Sequence, residues 1–193
     1  MGGGGRPIRK GVRASSHPSN EDIDHARSPL LIHQARKVIA RKQEQLLLEP
    51  GAAFLSQVRT ELSDSILALL PPTTEETTFF LICYGIGRIF QAQVAQWQLA
   101  VLLSIKEWLP SVLPSSCILK AQVFDPVLGE GESTLLQECG FQVLSADEQC
   151  KRVVGAGERA FFYMPHGEGF MYANLVEANK VGGLGRQIGR AHV

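Results

Sequence analysis

An excess of charge of either sign is missing from this sequence: its 193 residues carry nineteen basic and nineteen acidic side chains, for a formal net charge of zero. Phosphate contacts need a surplus of Lys and Arg, so direct nucleic-acid binding is not expected of the fold. Long hydrophobic runs are missing too. The uncharged stretch from Ile89 to Ile105 is interrupted by Gln91, Gln93, Gln96 and Gln98, and its longest unbroken apolar run is Leu99 to Leu103. A bilayer crossing needs roughly 20 such residues, so no membrane span is expected. Cysteines are few and scattered: Cys83, Cys117, Cys139 and Cys150 form no CxxC pair. Buried free thiols in a reducing compartment are the simplest reading, which points to cytoplasm, nucleus or both. The opening MGGGGRPIRKGVR lacks the apolar core of a secretory signal. Arg6 stands where a myristoylation signal needs Ser or Thr, and four glycines with Pro7 oppose the amphipathic helix of a mitochondrial leader.

What remains is ordinary globular composition, 45% apolar and 20% charged, enough for one domain with a proper core. The two ends read differently from the middle. Residues 1–26 are rich in Gly, Arg, Ser and Pro and are expected to be a disordered basic tail. The last seven, Gln187-Ile188-Gly189-Arg190-Ala191-His192-Val193, can be encoded CAG ATC GGA AGA GCA CAC GTC with TGA following. That resembles the start of a sequencing adapter translated in frame, so residues 181–193 are read as a non-native tail and the sheet as incomplete. Without both ends, residues 27–180 hold thirteen basic and sixteen acidic side chains, a mildly acidic domain.

Apolar residues at three- and four-residue intervals predict helices over 28–49 and 52–70, broken at Pro50-Gly51 and stopped at Pro71-Pro72. Residues 27–72 are thus an N-terminal helical hairpin. Beyond it, over 73–180, the period changes. Thr77 to Tyr84 is a continuous apolar run, as in a strand covered on both faces, and a buried helix follows from about Arg88 to Leu109. Strands are expected over Cys117–Asp125, Phe141–Leu144 and Ala160–Met164, with helices over about 132–139 and 168–179. Ser145-Ala146-Asp147-Glu148 has the pattern of a capping box opening another short helix. Such alternation calls for an α/β fold, a three-layer Rossmann-like parallel sheet with helices on both faces.

Ligands of open parallel sheets bind beyond the carboxyl ends of the strands. Three strand ends carry unusual residues: Tyr84, Gly85 and Gly87; Asp125 and Pro126; and His166. A Gly-x-Gly turn lets backbone approach a ligand, and a carboxylate at the next strand end accepts hydrogen bonds from a ribose. This is the layout of nucleotide and S-adenosylmethionine sites. The match is partial, because position 90 is Phe and Asp125 lies 38 residues after Gly87, against about 20 in the dinucleotide fingerprint. The plainer alternatives are a tight turn at the glycines, a capping role for Asp125 and a structural role for His166. No nucleophile triad, zinc spacing or phosphate loop is present, so neither a catalytic nor a metal residue is assigned.

Several separate strings fall in register with one known family. They are Cys83-Tyr84-Gly85-Ile86-Gly87, Gln98-Leu99-Ala100, Val123-Phe124-Asp125-Pro126, Gly140-Phe141-Gln142-Val143-Leu144-Ser145, Lys151-Arg152 and Phe162-Tyr163-Met164-Pro165-His166-Gly167. Over about residues 79–179 the chain resembles the Sensitivity to Red Light Reduced family, the SRR-like domain. The resemblance implies a regulator rather than an enzyme, with roles in circadian-clock gene expression and control of haem biosynthesis, in cytoplasm and nucleus, through unknown protein partners. Two departures stand out. Family members often carry Cys where this chain has Gly167, and a later strand with a Gly-Asn-Ser motif is absent, which reads as C-terminal truncation. A second expectation stands beside the regulatory one: a methyltransferase-like enzyme using S-adenosylmethionine or a nucleotide at the strand ends. The cofactor is left open among S-adenosylmethionine, a nucleotide and haem.

Overall fold

The apolar run Thr77–Tyr84 forms a strand, β1, at the centre of the sheet, as its two-sided hydrophobicity predicts. The computed structural model describes residues 20–70, 76–180 and 188–191. Before β1 stand helices α1 (Asn20–Leu46) and α2 (Gly51–Leu69). After it come α3 (Gln93–Trp108), a 3₁₀ turn (Leu109–Ser111), β2 (Cys117–Phe124), α4 (Glu130–Glu138) and β3 (Gln142–Val143). The chain continues through β4 (Glu158–Tyr163), α5 (Gly169–Ala178) and β5 (Ile188–Ala191). The expected stop at Pro71-Pro72 and residues 1–19 of the tail lie outside the described residues.

The five strands are ordered β3-β2-β1-β4-β5, and every pairing is parallel. Thr77 pairs with Cys117 and Tyr84 with Phe124, while Thr78 pairs with Glu158 on the other side. Alternate residues of β1 feed two cores. Phe79, Leu81 and Cys83 face the larger one, built from α1, α2, α3 and α4 with Leu99, Leu102 and Leu135 at its heart. Phe80, Ile82 and Tyr84 face the smaller one, with Phe162, Val154 and Leu175 of α5. Helices on both faces of a parallel sheet make this an α/β fold.

Several boundaries differ from the sequence reading. Helix α1 begins at Asn20, inside the stretch read as tail. The local sequence Asn20-Glu21-Asp22-Ile23-Asp24 has the acidic character that suits a helix amino end. It packs on α3 and α4 rather than chiefly on α2. The Arg36–Glu138 ion pair and the Lys42 ammonium, 4.0 Å from the Trp97 ring centre, help hold it there. Helix α3 starts at Gln93, five residues later than expected, because residues 85–92 form a loop with Gly85 and Gly87 at φ +76° and +79°. No helix opens at Ser145. The Asp147 carboxylate accepts the Gln149 amide at 2.7 Å, a local turn, and Gln149 and Cys150 then take φ of 49° and 56°. Strand β5 lies in the segment read as a non-native tail, where the sequence pattern predicts no strand.

Candidate functional site

The strand order reverses direction between β1 and β4, and that is where an open parallel sheet leaves a crevice. A cavity of about 600 Å³ opens there. Its walls include Tyr84 and Gly85 from the end of β1, Asp125 and Pro126 from the end of β2, and His166 from the end of β4. The three unusual strand ends therefore meet at one place. Gly87 stands just behind the wall, where an added Cβ would lie 4.0 Å from His166 Nε2. The remaining wall comes from the β3–β4 loop, through Asp147, Gln149 and Cys150, and from the start of α5, through Glu168, Phe170 and Asn174.

Asp125 is half-buried and ties two loops together. Its Oδ2 accepts the Gly87 amide at 2.7 Å and its Oδ1 the Val127 amide at 2.9 Å. Glu132, buried on α4, acts alongside: Oε1 accepts the Phe90 amide and Oε2 the Gly129 amide, each at 3.0 Å. Backbone donors that a glycine turn offers to a ligand in many sites are here bonded to the protein's own carboxylates. Each Asp125 oxygen keeps a second acceptor position. Loss of these acceptors would strand backbone donors at the turn.

The opposite wall hangs on a second set of polar contacts. The Tyr84 hydroxyl donates to Glu148 Oε2 at 2.7 Å, and Arg152 donates to Glu148 Oε1 at 3.0 Å. Buried Asn179 accepts the Val154 amide at 2.9 Å and donates to the Arg152 carbonyl at 2.8 Å. Asn174 donates to the Gln149 carbonyl at 2.9 Å. These bonds hold the loop in its positive-φ turn, a conformation that costs energy for residues other than glycine. Burial, reinforced by the bond to Glu148, raises the Tyr84 phenol above its ordinary pKa. Burial and the nearby Asp147 and Glu148 carboxylates push the Cys150 thiol up to about 11. Both side chains are neutral at physiological pH.

Gly167 has its own packing reason. A Cβ there would come within 2.7 Å of the Tyr172 ring, whose hydroxyl donates to the Met164 carbonyl at 3.0 Å. In this chain Tyr172 occupies the space that a Cys at position 167 would need. Among the described residues, no group of three or more His, Cys, Asp or Glu is placed to hold a metal ion, and no helix is long and apolar enough to cross a membrane. Sequence reasoning missed Gln149, Cys150 and Glu168, which reach the cavity from a loop and a helix start, and it placed Asp147 only in a helix-capping pattern.

The fold and cleft define a Rossmann-like α/β domain with a pocket at its topological switch point. The chain belongs to the SRR1 family, whose SRR1 domain matches residues 55–189. That range reaches from within α2 into β5, wider than the region that carries the sequence resemblance. Protein SENSITIVITY TO RED LIGHT REDUCED 1 of Arabidopsis thaliana is 35% identical over 131 residues, covering 66% of this chain and 43% of that protein. The SRR1-like protein of Mus musculus is 37% identical over 98 residues, covering 51% of this chain and 37% of that protein. The matched stretch thus spans less than half of each relative. No solved structure matches the chain. The name of the Arabidopsis relative refers to a response to red light.

Proposed function

We propose that this chain is a regulatory binding module, acting through protein partners in circadian-clock gene expression and the control of haem biosynthesis, in cytoplasm and nucleus. The cleft is its working part: it takes up a small molecule and passes the occupied state to a partner. The observation that carries this reading is the convergence of Tyr84, Gly85, Asp125, Pro126 and His166 on one cavity. Its size lies within the roughly 300–1,000 Å³ of small-molecule sites. Glu168 is exposed at the cavity wall, so Glu168→Trp fills the cleft without touching either core. In cells depleted of their own relative, the wild-type chain should restore a clock-driven reporter rhythm and Glu168→Trp should not. Equal rescue by a Glu168→Trp chain with an unchanged circular dichroism spectrum would remove the cleft from the function.

The exposed imidazole of His166 in the same wall supports a haem-responsive form of this reading. Hemin should then give a Soret shift that His166→Ala abolishes, and an identical spectrum in the mutant would exclude His166 as the ligand. The methyltransferase-like reading rests on the same placement of the Gly85–Gly87 turn beside Asp125. Methyl transfer from S-adenosylmethionine to an acceptor in a cell extract, lost in Glu168→Trp, would favour it over pure binding.

A further inference from the structure

The cleft's chemistry narrows what it accepts, and the following rests on the cleft being a ligand site as proposed above. Three carboxylates line it, those of Asp125, Asp147 and Glu168, and among the described residues no Lys or Arg side chain does. The Lys151 ammonium bonds to Gln149 Oε1 at 2.9 Å and the Arg152 guanidinium to Glu148 at 3.0 Å; neither belongs to the wall. The glycine-turn amide that would meet a phosphate is also taken. Gly87 donates to Asp125 Oδ2 at 2.7 Å, so an anion of the protein already occupies the place of the ligand's anion. A phosphate brought here would face like charge with its usual donor spent, and field lines from three carboxylates concentrate in a low-dielectric crevice. A cation meets the reverse situation. The rest of the wall is apolar and aromatic, with Tyr84 and Phe124 at the strand ends, Met171 on α5, and Phe170 58% exposed where a flat ring can stack on it.

We infer that the cleft selects a positively charged, phosphate-free ligand with a planar ring system, of the sulfonium-nucleoside class that S-adenosylmethionine represents. The carboxylates at the rim, Asp147 and Glu168, face the positive centre. The free acceptor positions of Asp125 take hydroxyl donors of the sugar, and the aromatic wall takes the base. Nucleoside di- and triphosphates and dinucleotides are rejected by charge.

A pair of probes matched in structure but not in charge tests this on the full chain by isothermal titration. S-adenosylmethionine and its thioether, S-adenosylhomocysteine, differ by one methyl group and one positive charge. Saturable binding of S-adenosylmethionine is expected, with the thioether weaker by about tenfold and ADP weaker still. Glu168→Gln combined with Asp147→Asn keeps the Gln149 amide bonded through the Asn oxygen while removing two charges. It should weaken S-adenosylmethionine by about tenfold, leave the thioether unchanged and flatten the salt dependence. Absence of S-adenosylmethionine binding, or equal binding of the thioether or of ADP, overturns the inference. The two levels fail separately. Tight ADP binding would keep the cleft as a ligand site and reverse its charge preference. Absence of binding by all three probes and by hemin, with full rhythm rescue by Glu168→Trp, would remove the site itself.

Discussion

The two faces of the sheet are built to different standards. On one, four helices cover Phe79, Leu81 and Cys83 with a core in which Leu99, Leu102, Leu109 and Leu135 are fully buried. On the other, among the described residues, a single helix and an irregular loop cover Phe80, Ile82 and Tyr84. The loop is fixed less by apolar contact than by hydrogen bonds from Asn174, Asn179 and the Tyr84–Glu148–Arg152 chain. The cavity opens on this lightly covered side. The heavier core and the cavity are thus separated across one strand, whose odd and even residues face different layers.

The largest effect should come from breaking the heavy face. Leu102→Ala removes a fully buried side chain of α3 and should cost about 2–5 kcal/mol in urea unfolding. A loss under about 1 kcal/mol would mean this core relaxes far more than its packing implies. Next comes the seam between the faces. Asp125→Ala leaves the Gly87 and Val127 amides without their acceptor, for about 1–3 kcal/mol, and Asp125→Asn, which keeps one acceptor oxygen, should lose less. Equal stability of Asp125→Ala and wild type would show that water replaces the carboxylate at no cost. On the light face, Tyr84→Phe should cost only about 1 kcal/mol globally. Its signature is local: amide exchange should quicken in residues 144–155 and stay unchanged in α3. Uniform quickening would contradict the division between faces.

The smallest effect is absent at neutral pH and grows in alkali. Burial keeps Cys83, Tyr84, Tyr163 and Cys150 protonated above the pH at which the unfolded chain releases those protons. Between those values the unfolded state binds fewer protons, so stability falls as pH rises. For Cys150 the decline begins near the ordinary thiol value of 9.0 and is complete near 11. Cys150→Ala should flatten that part of a urea-midpoint profile, and a profile unaltered by the mutation would show that the thiol does not contribute.

How far the sequence reveals this depends on the range of the forces involved. Strand β1 is legible to the residue because burial on both faces demands a run of apolar side chains. The strand ends converge in a way that follows from topology, since parallel strands bring their carboxyl ends to one edge. The Ser145 helix fails for a local reason. Asp147 has a second partner available in the Gln149 amide, and the backbone takes the turn instead. The light wall was out of reach because its decisive bond joins Tyr84 to Glu148, 64 residues apart. Strand β5 lacks the apolar run that marks a buried strand, and only its pairing with β4 defines it.

The central place of β1 also has a consequence for how the chain is made. Its partner β2 follows one helix later, but its other edge is closed only when Glu158–Tyr163 has been translated. At roughly 5–20 residues per second, the most apolar strand of the protein waits several seconds beside the ribosome with an open edge. During that interval the nascent chain exposes an unpaired hydrophobic strand edge, the kind of surface that chaperones shield and that aggregates recruit.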